Sequence, residues 1–413
     1  MGGAICCAGS ACCSCLCSVC MNCCGTSHQQ HTRIGYLTIT IVAIFFGLIF
    51  LYFGQDMMSP WEKFGFDCHG DTKSICLGVF TIYRESFTLV VFYFLMILGS
   101  LPGGRASLGF NQSCWTMKIL FIIIMFIVTF FIPNSFFEVF REICRYVSIL
   151  YLLVQVIVII DFGYSWSENW TERSESMLTW LFIASGFFWV ISLLLISLNY
   201  YWFARNDGCD KEIVLITFTL VLGIAFTILS ISNLAEHGSL LTSSVVNCYC
   251  TYLCWDGLTN DTNKTCNTWD NGKDTGIIIS FATLILVITL AYVCFRKREK
   301  IADQAPIRGA AEPILESEDN GEEGKAYKDE EDHIDEGYGR KMLFFHLFML
   351  LASFYFSMLL TNWGAANIND DDNDSYQNKE GSLWVKFSAQ WITILLYVWS
   401  LIAPKVCSSR DFS

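Results

Sequence analysis

Apolar runs of about twenty residues, separated by short polar breaks, recur along almost the whole chain. As a helix, such a run covers the roughly 30 Å hydrocarbon core of a bilayer. The pattern predicts ten spanning helices, at residues 35–54, 81–101, 115–132, 136–162, 177–202, 213–231, 239–258, 276–295, 341–360 and 383–403. The fourth stands apart. Pro133 and Asn134 precede it, Gly163 follows it, and nothing between breaks a helix. About 27 residues make roughly 40 Å, so this helix must tilt or protrude, and the shorter helices are expected to be arranged around it. It closes on Asp161 and an aromatic cluster, Phe162, Tyr164, Trp166 and Trp170, as a spanning helix does where it meets headgroups. The seventh run is the most polar, with Thr242, Ser243, Ser244, Asn247 and three cysteines. It can span only if its polar face is buried against protein.

Composition agrees with an all-α polytopic membrane protein: 54% hydrophobic residues, 16% charged and a mean hydropathy of +0.45. The net charge of −13 says little about partners. Residues 312–336 hold 12 acidic residues and two lysines, so one loop sets the acidic balance, and nothing points to nucleic acid. The expected organisation is a cysteine-rich segment (1–34), helices one to eight (35–295), a disordered acidic loop (296–340), helices nine and ten (341–403) and a tail (404–413).

Basic residues give the orientation. Arg296, Lys297, Arg298 and Lys300 follow the eighth helix, and Arg340 and Lys341 precede the ninth, which places that loop and both termini in the cytosol. The sequons at Asn260, Asn263 and Asn373 then fall on the opposite side and are glycosylation candidates. That at Asn169 falls in the cytosol. Asp370, Asp371, Asp372 and Asp374 lack the spacing of a calcium loop and read as a solvated segment.

Nine of the 20 cysteines lie between Cys6 and Cys24. C-x2-C spacings there suggest zinc, adjacent pairs argue against it, and S-palmitoylation or close helix packing remain open. The extracytosolic loops offer Cys68, Cys76, Cys248, Cys250, Cys254 and Cys266 for disulfides, with connectivity undetermined.

Charge at membrane depth is costly and calls for an explanation. Arg84 and Glu85 open the second helix and Lys118 the third. Glu138, Arg141, Glu142 and Arg145 open the fourth at i,i+3 and i,i+4 spacings, a self-compensating ladder that reads either as interfacial anchoring or as a polar track for lipid headgroups ending at Asp161. His346 reads as a buried hydrogen-bonding residue. No Walker A, G-x-S-x-G, H-E-x-x-H or dinucleotide motif is present, so neither an enzyme nor a cofactor or metal site is expected.

Six stretches in order carry a resemblance: the cysteine-rich start with TRIGY, SICLGVFTIYRESFTLVVFYF, QVIVIIDFGYSWSENW, CYCTYLCWDGLTN, FFHLFMLLASFYFSMLLTNW, and SLWVKFSAQWITILLYVWSLIAPKVCSSRDF. Together they resemble the serine incorporator family. Family members typically read RVS where this chain has Arg84-Glu85-Ser86, and WSAL where it has Trp255-Asp256-Gly257-Leu258. The resemblance implies two helical bundles crossed by a long oblique fourth helix. It also implies a role in incorporating serine into phosphatidylserine and sphingolipids, or ATP-independent scrambling of phosphatidylserine. Under scrambling the lipid path would use Glu138, Arg141, Glu142, Arg145 and Asp161. Under the alternative, a serine carrier or scaffold, serine would meet Asn233, Glu236, Ser243 and Asn247. Expected partners are membrane phospholipids, serine and lipid-synthesis enzymes under the alternative, and a second copy of the chain. The expected location is the plasma membrane, Golgi, endosome or vacuole.

Overall fold

A computed structural model describes residues 28–58, 68, 73–102, 104–173, 175–232, 238–269, 275–296, 323–364 and 372–406. The described residues form eleven helices and no strand. They are α1 His28–Met58, α2 Lys73–Ser100, α3 Gly104–Gln112, α4 Trp115–Thr129, α5 Asn134–Arg173 and α6 Glu175–Phe203, then α7 Asp210–Ile231, α8 Leu240–Leu258, α9 Thr275–Phe295, α10 Glu323–Leu360 and α11 Asp372–Val406. Each of the ten apolar runs lies on one of them. Seven helices are long and apolar enough to cross a membrane, and Trp115–Thr129 and Ile279–Phe295 are shorter apolar helices. The polytopic helical class therefore holds.

Several helices extend beyond the apolar runs, and three boundaries have a clear physical reason. Helix α5 has 40 residues and runs past Gly163 to Arg173, about 60 Å at 1.5 Å per residue. Gly163 does not end it. A Cβ there would stand 2.9 Å from Thr242 Cγ2 and 3.1 Å from Thr242 Cα, so this glycine admits the backbone of α8. Helix α10 begins at Glu323, within the acidic loop expected to be disordered. That stretch is rich in Glu, Lys and Asp and continues a strongly apolar helix, which supplies the nucleus that an isolated polar segment lacks. Helix α4 stops at Thr129, where Phe130 and Phe131 close a turn before Pro133.

The chain divides into two compact units. Unit 1 comprises Met1–Phe45, Phe87–Phe131 and Leu290–Leu350. Its polar core is built on Asn111. The Asn111 Nδ2 donates to Ser107 O (2.8 Å) and Ser100 Oγ (3.0 Å). Its Oδ1 meets His346 Nε2 at 2.7 Å, and the Tyr36 hydroxyl donates to Asn111 O at 3.3 Å. Lys118 Nζ donates to Phe110 O (2.9 Å) and Asn111 O (2.8 Å) and lies 4.8 Å from the Trp115 ring centre. A buried ammonium is thus held by carbonyl dipoles and π faces, with no counter-ion among the described residues.

Unit 2 comprises Phe46–Ser86, Ile132–Thr289 and Leu351–Ser413. Its centre is α8. Sixteen of the 19 residues of α8 are buried, and α5, α6, α7 and α11 all pack on it. Its polar face is covered by protein, as the sequence requires of so polar a run. Ser239 caps its N-terminus, accepting from Thr242 N at 3.4 Å. Arg84, fully buried in α2, fixes the start of α5: its Nη2 donates to Ile132 O (2.9 Å) and Asn134 Oδ1 (3.0 Å), and its guanidinium lies 4.5 Å from the Phe137 ring centre. Five donors in a rigid fork make arginine able to tie a turn and a helix start at once.

Candidate functional site

The first three turns of α5 carry the charged ladder. Glu142 bridges two arginines, with Arg141 Nε to Oε1 at 3.4 Å and Arg145 Nη1 to Oε2 at 3.0 Å. The side chains are partly exposed, 24% for Arg141, 43% for Glu142 and 25% for Arg145. Glu138 is exposed and makes no ion pair among the described residues. Helical periodicity explains the placement. At about 100° per residue, Phe137, Cys144, Ser148, Tyr151, Gln155 and Ile159 share the buried stripe of α5. Val139, Ile143, Tyr146, Leu150 and Ile157 form the exposed apolar stripe. The ladder lies on the flank between them, so its charges border both protein and lipid.

Asp161 does not join this ladder. It lies about 34 Å further along the axis and about 140° around the helix from Glu138. Glu138 and Asp161 therefore do not share one face of α5, because 23 residues are not a whole number of turns.

A second polar site was not singled out from the sequence. Lys386 of α11 and Asp256 of α8 form a buried ion pair, Nζ to Oδ1 at 2.7 Å, and Nζ also donates to Asp256 O at 3.1 Å. The pair lines a cavity of about 10 Å³ together with Gln155, Tyr249, Tyr252, Tyr355 and Trp363. That volume holds about one water molecule. Gln155 is buried, and its Oε1 has no hydrogen-bond partner. Two opposite charges, one in the seventh apolar run and one in the tenth, were the available signal, but the residues are 130 positions apart and hydropathy does not pair them.

Ser243 and Asn247 are buried in α8, where Ser243 Oγ donates to Leu240 O (2.9 Å) and Asn247 packs against Gly223. Neither lines the cavity. Asn233 and Glu236 lie outside the described residues, as do the cysteine-rich start and residues 297–322. Cys68 is bonded to Cys76, and Cys266 to Cys209, a residue not among the disulfide candidates. Cys248, Cys250 and Cys254 are free thiols on α8, a correction to their candidacy. One helix turns them to different faces, and Cys266 reaches α7 rather than back to α8. Asn263 is exposed, whereas Asn260 is buried with Nδ2 donating to Asp256 O at 2.8 Å, which leaves that nitrogen no room for a glycan. Asn373 lies in the first turn of α11.

Residues 5–410 match the family described as Serine incorporator (Serinc). The chain is 26% identical to serine incorporator 3 of Bos taurus, over 98% of this chain and 96% of the relative. It is 27% identical to serine incorporator 5 of Rattus norvegicus, over 99% of each. It is 25% identical to serine incorporator 2 of Homo sapiens, over 97% of each.

Proposed function

The chain belongs to the serine incorporator family, and from that premise we propose that it exchanges phospholipid, phosphatidylserine in particular, between leaflets without ATP and without catalysing a covalent step. The observation that carries this reading is the partly exposed ladder on the flank of α5. A phosphate can replace Glu142 at Arg141 or Arg145, and a headgroup ammonium can pair with Glu142 or Glu138. Pairs that remain partly solvated exchange partners at small cost, on the order of 1 kcal/mol. Acyl chains stay against the exposed stripe of Val139, Ile143, Tyr146 and Leu150. Downhill exchange needs no coupled energy source. Asp161 serves at the far end of α5, as a separate headgroup contact.

The reading takes both termini as cytosolic. In that orientation the Cys68–Cys76 and Cys209–Cys266 bonds both fall in extracytosolic loops, and the exposed thiol Cys114 falls in a cytosolic one. This agrees with where disulfides persist. The membrane is the plasma membrane or an endomembrane of the Golgi, endosome or vacuole.

A serine carrier or scaffold is the second reading, and the Asp256–Lys386 pair favours it. A carboxylate beside an ammonium complements the two charged groups of a free amino acid. The one-water cavity must open to admit one.

The deciding experiment reconstitutes the full chain in liposomes with tail-labelled NBD-phosphatidylserine and follows dithionite quenching. Scrambling gives quenching well beyond the outer-leaflet half, without ATP and without leakage. Replacing Glu138, Arg141, Glu142 and Arg145 together by Gln is expected to slow the inner-leaflet phase about tenfold, the size of losing roughly 1.4 kcal/mol from the limiting barrier. Unchanged exchange removes the ladder from the mechanism. Quenching that stops at one half in sealed vesicles rejects scrambling, and saturable serine binding by calorimetry then becomes the test of the second reading.

A further inference from the structure

The start of α7 and the loop after α8 enclose a set of carboxylates that neither reading uses. The Cys209–Cys266 bond ties the two segments together. Glu212, in the first turn of α7, is 1% exposed, and neither carboxylate oxygen has a hydrogen-bond partner. Its carboxylate lies within 4.8 Å of both disulfide sulfurs. Asp261 is 3% exposed, and its carboxyl group lies close to that of Glu212, two acceptors that both face the Lys211 ammonium. Asn263 N donates to Asp261 Oδ1 at 3.0 Å. Asn260, next in the chain to Asp261 and 1% exposed, leaves its Oδ1 unpartnered.

The Lys211 ammonium faces the set. Lys211 Nζ is 2.9 Å from Asp261 Oδ2 and 3.8 Å from Glu212 Oε1, and the charge of Glu380 on α11 also acts on it. Three carboxylates against one ammonium leave a local charge of −2. Two buried carboxylates in contact repel strongly unless a proton or a cation sits between them. The available groups are all oxygens, carboxylate and amide, the donors that hard divalent cations select.

We propose that Glu212 and Asp261, with the Asn260 amide oxygen and water, bind one divalent cation of the calcium type. The Lys211 side chain is 40% exposed on a flexible stem. Its ammonium stands where the ion would act and withdraws into solvent when the ion enters. A bound ion neutralises the excess charge and adds a second cross-link, beside the disulfide, between α7 and the loop after α8. The proposal is independent of lipid transport.

The test uses the full chain in non-ionic detergent free of acidic lipid, stripped with EDTA, with ⁴⁵Ca²⁺ equilibrium dialysis and thermal unfolding at neutral pH. One saturable equivalent is expected, with Kd on the order of 10⁻⁴–10⁻³ M, the range of extracellular calcium modules, and a calcium-dependent rise in Tm. Glu212→Gln and Asp261→Asn should each weaken this binding about tenfold or more, as loss of a charged ligand does. Lys211→Met should tighten it about threefold by removing the competing charge. Because Lys211 is partly exposed, that variant carries the test if a carboxylate variant fails to fold, and unchanged affinity in it overturns the proposal. So does absence of saturable binding, or binding that survives Glu212→Gln undiminished, which would locate the ion on the acidic segment 312–336. Stabilisation by acid in place of calcium assigns a shared proton and overturns it equally.

Discussion

The polar interiors of the two units differ in how far their hydrogen-bonding groups are satisfied. In unit 1, Asn111 and Lys118 spend their donors on carbonyls and hydroxyls four to 11 residues away, and His346 Nε2 closes the set. In unit 2, buried polar atoms without a hydrogen-bond partner are scattered over α2, α5, α6, α7, α8, α9 and α11. Among the described residues, His346 Nδ1 is the one such atom in unit 1. A satisfied network rigidifies its surroundings, while unmet groups cost free energy unless water, ions or ligand groups reach them. Among the described residues, the polar core of unit 1 is close to fully satisfied. Unit 2 has the unmet capacity that a lipid, amino-acid or ion site requires.

The largest effect should come from the ion pair at the centre of unit 2. Asp256→Ala leaves Lys386 charged, buried and unpaired, which should cost about 3–5 kcal/mol. The double variant Asp256→Ala with Lys386→Met should recover most of that loss in thermal unfolding, and a persistent deficit would show that the pair does more than neutralise itself. Next comes a matched substitution of one amide in each unit. Asn111→Leu should cost about 1–3 kcal/mol by orphaning His346 and Ser100. Gln155→Leu, whose Oε1 has no partner, should change stability by less than about 1 kcal/mol. Equal losses from the two would erase the distinction between the units. A smaller effect of opposite sign is expected at Glu85. This buried carboxylate has an unpartnered Oε2 in the position where the family pattern has valine, and Glu85→Val should stabilise by about 1–2 kcal/mol. If that variant is destabilised, Glu85 has a partner that stabilises its charge.

Much of the fold was legible, and the exceptions share a cause. Residues 239–258 were recognisable as a helix with a polar face needing cover, and α8 proved to be the helix on which unit 2 is assembled. The long fourth helix was also legible, and within unit 2 it packs on α8, α6 and α11, but its C-terminal limit was placed at Gly163. A glycine reads as a helix end when only its conformational freedom is considered. At Gly163 its smallness is what matters, because Thr242 of α8 presses against it. Of the candidate site, the ladder residues were recognisable from i,i+3 and i,i+4 spacing, which is local. The Asp256–Lys386 pair, the Cys209–Cys266 bond and the Glu212–Asp261 contact were not.

The sequence by itself determined that this is a helical membrane protein, roughly where each helix lies, and which family it resembles. Bilayer thickness and the 3.6-residue period act within one segment, and both can be read along a line. The tertiary structure alone decided which buried charges meet, which cysteines bond and which helix the others surround. Those partners are far apart in the chain, 130 residues for Lys386 and Asp256 and 57 for Cys209 and Cys266. A buried charge must find compensation somewhere, but local sequence carries the requirement and not the address.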